Sequence, residues 1–158
     1  MAATTHVPFE QIDDESIELA LATGPMAVLR YLRAAHQYLA AAKGRVINLR
    51  SGSEIQGLNG YGSYIAAKAA IGGITRAAAR EWGPKASRST PSARSRSVKR
   101  HWRTLTNDLK ISSSRYRRCR SSDPEHDIGR LGVFLAGPDA SYITGCTISA
   151  DGRGCFVG

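Results

Sequence analysis

Cysteine is scarce in this chain, aromatic residues make up only 7% of it, and no apolar run approaches the length of a membrane span. Each absence excludes a class of protein. A helix that crosses a bilayer takes about 20 consecutive apolar residues, so none is expected. Cys119, Cys146 and Cys155 form no CxxC pair, and an odd number argues against a disulfide framework; the expectation is reduced thiols in a cytoplasmic protein. His6, His36, His101 and His126 have no metal-ligand spacing with one another or with the cysteines, so no metal site is expected. The opening residues carry Glu10, Asp13, Asp14, Glu15 and Glu18 without an apolar stretch, a composition that suits neither a signal peptide nor a transit peptide.

Positive charge is what the chain has in excess, and its location decides its meaning. The formal net charge is +9, and residues 86–120 hold 11 Lys+Arg against a single acid, Asp108. The remainder of the chain is therefore close to neutral. A basic segment of this kind is open to three uses: a grip on phosphate backbones, a target for phosphorylation, or a solvated loop. Trp102 and Tyr116 are too sparse to form a platform on which bases stack. Specific nucleic-acid binding is thus not expected, and only a general affinity for polyanions follows from the charge.

A chain of 158 residues suits one domain, and folding at this size removes roughly 70% of the unfolded surface from water. Residues 1–21 are a polar lead followed by Ile12, Ile17, Leu19 and Leu21, read as a loop running into a short helix. Thr23-Gly24-Pro25 looks like the start of a longer helix over 25–43, because Pro25 has the fixed φ of a first helical position and Thr23 or Gly24 can cap it. Its apolar surface is wide, with Val28, Tyr31, Ala35, Leu39 and Ala42 beside the stripe of Met26, Leu29 and His36, so it should be covered on more than one side. Gly44 is expected to supply the left-handed residue that ends it.

Arg45-Val46-Ile47-Asn48-Leu49 has the form of a strand buried inside a parallel sheet. Ser51, Gly52, Ser53, Gly57, Asn59, Gly60 and Gly62 mark a loop at its C-terminal end, where open α/β sheets place their ligands. The alanine-rich stretch 63–82 predicts a helix ended at Gly83-Pro84. Its small residues, among them Ala66, Ala67, Gly72 and Gly73, let another backbone approach closely. From 86 to 121 no helical or strand period survives. Asp123-Pro124 then opens a helix that runs through Leu135 to Gly137-Pro138, and 146–150 predicts a final strand.

The chemistry concentrates between residues 44 and 83. Tyr64 and Lys68 stand four apart on the alanine-rich helix, which puts both side chains on one face. A free tyrosine has a pKa of about 10, so as a proton donor or acceptor at neutral pH it needs the kind of help that a neighbouring ammonium gives. Ser51, thirteen residues before Tyr64, meets it only across the loop, where its hydroxyl can donate to a substrate oxygen. The bland alternatives are real, since YxxxK spacing arises often by chance and a serine after a strand is commonly turn chemistry. The order strand, serine, glycine loop, tyrosine, lysine, alanine-rich helix is more specific than any one of its parts.

Asn48-Leu49-Arg50-Ser51-Gly52 followed by Tyr64-Ile65-Ala66-Ala67-Lys68 resembles the signature of the short-chain dehydrogenases/reductases. Phe134-Leu135-Ala136, the stretch from Asp139 to Gly145, and Asp151-Gly152 resemble that family's C-terminal segment. The likeness covers roughly residues 24–85 and 123–152. It implies an α/β fold, a partial Rossmann-like, doubly wound layer with an incomplete parallel sheet, in one domain over 1–158 interrupted by a basic, irregular segment at 86–121. It implies NAD or NADP as cofactor and an alcohol or carbonyl as the small-molecule substrate. By motif, Ser51 orients the carbonyl, Tyr64 is the general acid/base and Lys68 assists it, while Asn48, Tyr64 and Lys68 serve cofactor binding. The resemblance also implies a homo-oligomer through the helices at 25–43 and 63–82. The competing expectation is a nonenzymatic protein, either a pseudoenzyme subunit or a basic polyanion binder.

The departures from the family are as specific as the match. No TGxxxGxG loop is present, and with it goes the first mononucleotide-binding half that cradles the pyrophosphate; the expectation is a truncated, weakly active or inactive form. The family's helix asparagine falls on Leu21. The strand and proline turn that follow the catalytic helix are missing, and the strands at Val46 and Thr147, which that strand separates in the family, are not expected to pair. A lost base near Lys85 would account for this gap. Residues 86–95 can be encoded as GCA TCG AGG TCA ACA CCA TCT GCC CGG TC, which read two bases later gives Ile-Glu-Val-Asn-Thr-Ile-Cys-Pro-Val, a good version of the missing strand. The frame would return just before Asp123, and coding DNA with codons incompatible with this shift would sink the idea.

Overall fold

In the computed structural model, which describes residues 6–83, 103–108 and 124–150, the first α-helix starts at an aspartate. The Asp13 carboxylate accepts the Ser16 backbone N–H at 2.7 Å, satisfying one of the donors left open at a helix N-terminus, and α1 (Asp14–Leu21) follows. The chain does not restart at Thr23-Gly24-Pro25. It widens into a π-type turn at Ala22–Met26 and continues as α2 (Ala27–Ala42). Pro25 has no N–H to give and its ring would crowd the carbonyl one turn back, so a local widening lets the helix pass through it. The Thr23 hydroxyl donates to the Leu19 carbonyl at 2.7 Å within that bend. The expected helix start at 23–25 is thus corrected to an internal bend.

The end of α2 also differs from expectation. Lys43, not Gly44, takes the left-handed conformation, at φ 50°. Gly44 comes close to Leu39 instead: its N–H donates to the Leu39 carbonyl at 2.8 Å, and a Cβ there would lie 2.8 Å from Leu39 Cδ2. β1 (Arg45–Arg50) leads into a short helix α3 (Ser53–Gln56) within the expected loop, and then into α4 (Gly62–Trp82). The bend before α2 packs on α4, where a Cβ at Gly24 would meet the Ala67 Cβ at 3.3 Å. The small residues of α4 serve the close approach expected of them at this point.

The basic segment supplies a strand. β2 (Arg103–Asp108) pairs in parallel with β1, Arg45 opposite Arg103 through Arg50 opposite Asp108, and with β3 (Cys146–Ser149) on its other side. The order is β1-β2-β3. The strands at Val46 and Thr147 therefore do not pair with each other, but the slot between them is filled from within the stretch expected to be irregular. Two open parallel edges need backbone partners, and Thr104-Leu105-Thr106 has the β propensity to provide them. β1 pairs on one side only among the described residues, and Leu49 is 46% exposed, so the expectation of a strand buried inside the sheet is not met. The expected caps at Asp123 and Asp151-Gly152, with Cys119, Cys155, His101, Trp102 and Tyr116, lie outside the described residues.

A π-type turn at Pro124–Gly129 runs into α5 (Arg130–Ala136), and a 3-10 turn at Pro138–Ala140 precedes β3. Alternation along β1 assigns the helices to opposite faces. Ile47 packs with Ile148, Leu131 and Ile143 against the fully buried Leu135 and Ala140 on the α5 side. Asn48 faces the other way, its amide donating to the Thr75 hydroxyl of α4 at 2.8 Å. Among the described residues this is a helix-sheet-helix α/β layer with a three-stranded parallel sheet.

Candidate active site

Ser51 is the first residue beyond β1, at the C-terminal edge of the sheet. The chain turns there because the Ser51 carbonyl accepts the Glu54 N–H at 3.2 Å and the Gly52 carbonyl accepts those of Ile55 and Gln56, each at 3.1 Å. The Ser51 hydroxyl lies 2.6 Å from that of Ser53 and accepts the Ser53 N–H at 3.3 Å. Both serines are 2% exposed. Ser51 is therefore held by Ser53 in this structure; either hydroxyl can be the donor of the pair, and where Ser53 donates, the Ser51 proton is left to offer to a substrate oxygen.

α4 brings Tyr64 and Lys68 to one face, as the spacing predicts. Lys68 Nζ sits 5.6 Å from the centroid of the Tyr64 ring and donates to the Leu49 carbonyl at 3.2 Å. The ammonium thus stands beside the phenol while bridging α4 to the penultimate residue of β1. Tyr64 is itself braced: its ring is 6.3 Å from that of Tyr61 in an edge-on contact, and Tyr61 stacks edge-on with His6 at 5.1 Å. Asn48 is on the α4 face with its amide committed to Thr75. Leu21, where the resemblance places the helix asparagine, is the last residue of α1 and 38% exposed.

Three residues with a part in this edge were not singled out from the sequence. Ser53 holds the Ser51 hydroxyl, and the only signal was the Ser-Gly-Ser spacing. Arg50 forms an ion pair with Glu54, its guanidinium donating also to the Thr147 hydroxyl at 2.7 Å. Opposite charges four apart were the visible hint, yet the residues belong to a strand and a following turn rather than to one helix. Among the described residues no group of three or more His, Cys, Asp or Glu is gathered as metal ligands would be.

The donor set matches one end of a nicotinamide dinucleotide. Lys68 and Tyr64 at an exposed sheet edge suit the hydroxyls of a ribose, and Ser51 suits a carbonyl oxygen. The sequence holds no glycine-rich strand-to-helix turn for a pyrophosphate, so the residues present fit the reactive end of such a cofactor and not its phosphates.

Comparison with known proteins gives concordant results. A family model described as enoyl-(acyl carrier protein) reductase matches residues 1–153. A 12alpha-hydroxysteroid dehydrogenase of Clostridium sp. is 31% identical over 154 residues, covering 96% of this chain and 60% of the relative. A diacetyl reductase [(S)-acetoin forming] of Staphylococcus aureus is 27% identical over 92% of this chain and 61% of its own length. Among solved structures, a 4-hydroxyisoleucine dehydrogenase complexed with NADH and succinate superposes with a TM-score of 0.71 at 18% identity, over 96% of this chain and 64% of that one. The chain thus spans about 60% of the length of the curated relatives it matches.

Proposed function

The chain belongs to the short-chain dehydrogenase/reductase family, and from that premise we propose that it carries the acid/base half of a site for hydride transfer between NAD or NADP and an alcohol or carbonyl. The observation that carries this proposal is the Lys68 ammonium, fixed by the Leu49 carbonyl beside the Tyr64 ring. Tyr64 passes a proton to or from the substrate oxygen, and general acid/base catalysis of this kind contributes roughly 10²–10⁴-fold. Lys68 keeps positive charge next to that proton and holds the ribose end of the nucleotide with Tyr64. Ser51 orients the same substrate oxygen by donating its proton while it accepts from Ser53. Asn48 serves the cofactor end indirectly, by fixing β1 against α4 through Thr75. The bound nicotinamide supplies or accepts the hydride.

With phosphate-binding residues lacking, the chain by itself binds nucleotide weakly and turns over slowly or not at all. The names of the relatives point to a hydroxysteroid or a small diketone as the first substrates to try. A groove of about 480 Å³ along α2 and α4, with Leu29, His36, Ile74 and Trp82 in its lining, supports self-association of the chain through these helices or pairing with an intact relative. No helix among the described residues is long and apolar enough to cross a membrane, and a cytoplasmic setting fits the proposal. The test is an NADH titration followed by fluorescence, with turnover of the two substrate types. The expected result is weak binding and a slow turnover that falls by at least about 100-fold in Tyr64→Phe. Turnover indifferent to Tyr64→Phe, or nucleic acid bound in place of nucleotide, would overturn it.

A further inference from the structure

Arginine at the end of a strand ordinarily reaches into water, yet the Arg50 side chain is only 12% exposed, and its Glu54 partner 4%. β1 and β3 are separated by β2, a distance of about 10 Å at ordinary strand spacing. Arg50 spans it: one guanidinium nitrogen donates to the Thr147 hydroxyl on β3 at 2.7 Å while another pairs with Glu54 in α3. The guanidinium lies flat over Gly72 of α4, where a Cβ would come within 2.7 Å of Cζ. Glu54 belongs to the same turn as Ser51, joined by the N–H that the Ser51 carbonyl accepts. Its other carboxylate oxygen, Oε2, is buried without a hydrogen-bond partner among the described residues. A buried carboxylate is tolerated only when its charge is compensated, so Glu54 cannot leave Arg50 cheaply, and the Ser51 turn cannot move without Glu54.

We propose that Arg50 is a positioning residue that straps the Ser51 turn to β3 through Glu54 and Thr147, with Gly72 as the space it requires. Its catalytic consequence rests on the dehydrogenase proposal, but the strap itself does not. With the backbone of the turn fixed, the Ser51 hydroxyl beside Ser53 is left one torsion about which to aim its proton.

Amide hydrogen exchange of the full chain tests the strap without any substrate. In Arg50→Gln the amides of residues 54–57 exchange at least about tenfold faster, while those of α2 and α5 keep their rates. Gly72→Ala is the more discriminating variant. Alanine in a helix interior ordinarily stabilises relative to glycine, so a purely structural role predicts a tighter molecule. The strap instead predicts faster exchange at 54–57, because the Cβ displaces the guanidinium. Arg50→Lys, which keeps the charge but not the planar fork, restores part of the protection and serves if Arg50→Gln does not fold. Unchanged exchange at 54–57 in Gly72→Ala, or loss of protection spread evenly over the chain, would overturn the strap. Where turnover is measurable, Arg50→Gln lowers kcat and leaves the KM for NADH unchanged; a rise in KM alone overturns the positioning role. Turnover indifferent to Tyr64→Phe, or nucleic acid bound in place of nucleotide, defeats the dehydrogenase proposal and leaves the exchange result to decide this one.

Discussion

The two faces of the sheet are built from different materials. Toward α5, Ile47 and Ile148 close on Leu135 and Ala140, both fully buried, with Leu131 and Ile143 around them. Toward α4, the contacts are directional: Asn48 to Thr75, Arg50 to Thr147 and Glu54, Lys68 to the Leu49 carbonyl. Apolar contact is non-directional and scales with the area removed from water, so the α5 face contributes stability. Hydrogen bonds contribute less net free energy but fix angles and distances. The α4 face therefore sets geometry, and it is the face on which Tyr64 and Lys68 stand.

If this division is right, the faces respond differently to substitution. The largest loss is expected from Leu135→Ala, which removes the centre of the α5 core and should cost about 2–5 kcal/mol, read as a fall in the urea midpoint. A loss under about 1 kcal/mol would mean that this cluster is not the core. Thr75→Val comes next. Thr75 is 1% exposed, and removal of its hydroxyl leaves the part-buried Asn48 amide without that acceptor, for about 1–3 kcal/mol. The comparison is sharpened if Thr75→Val also perturbs nucleotide binding while Leu135→Ala, at temperatures where it stays folded, does not.

The smallest effect lies far from either face, at the start of α1. The hydrogen bonds from Ser16 hold the Asp13 carboxyl below its ordinary value. A carboxyl with a depressed folded-state pKa gives stability that is present above the unfolded value and lost as pH falls through the folded one. Helix signal by circular dichroism should accordingly decline slightly below about pH 4. Asp13→Asn, which retains a capping acceptor, should remove that dependence. An acid transition of the same size in Asp13→Asn would place its origin elsewhere.

Much of the candidate site was legible because its signals are local. Four residues on a helix fix the shared face of Tyr64 and Lys68, and the glycine-rich stretch after Leu49 announced the loop that carries Ser51. Local signals misled where a long helix could absorb them. Thr23-Gly24-Pro25 has every mark of a helix start, but the capped Asp13 and a widened turn carry the helix through it. At Gly44 the end of the helix was legible and the backbone conformation was not, since Lys43 takes the left-handed φ.

By itself the sequence determined the order of strand, serine turn and alanine-rich helix, and the placement of one tyrosine and one lysine on a single face. Each follows from spacing of a few residues, over which backbone geometry leaves little freedom. The tertiary structure alone decided that residues 103–108 fill the slot between β1 and β3, that Ser51 rests against Ser53, and that Arg50 crosses the sheet to Thr147. These pairings join segments separated in the chain or compete with equally short local alternatives, and only the packed sheet selects among them.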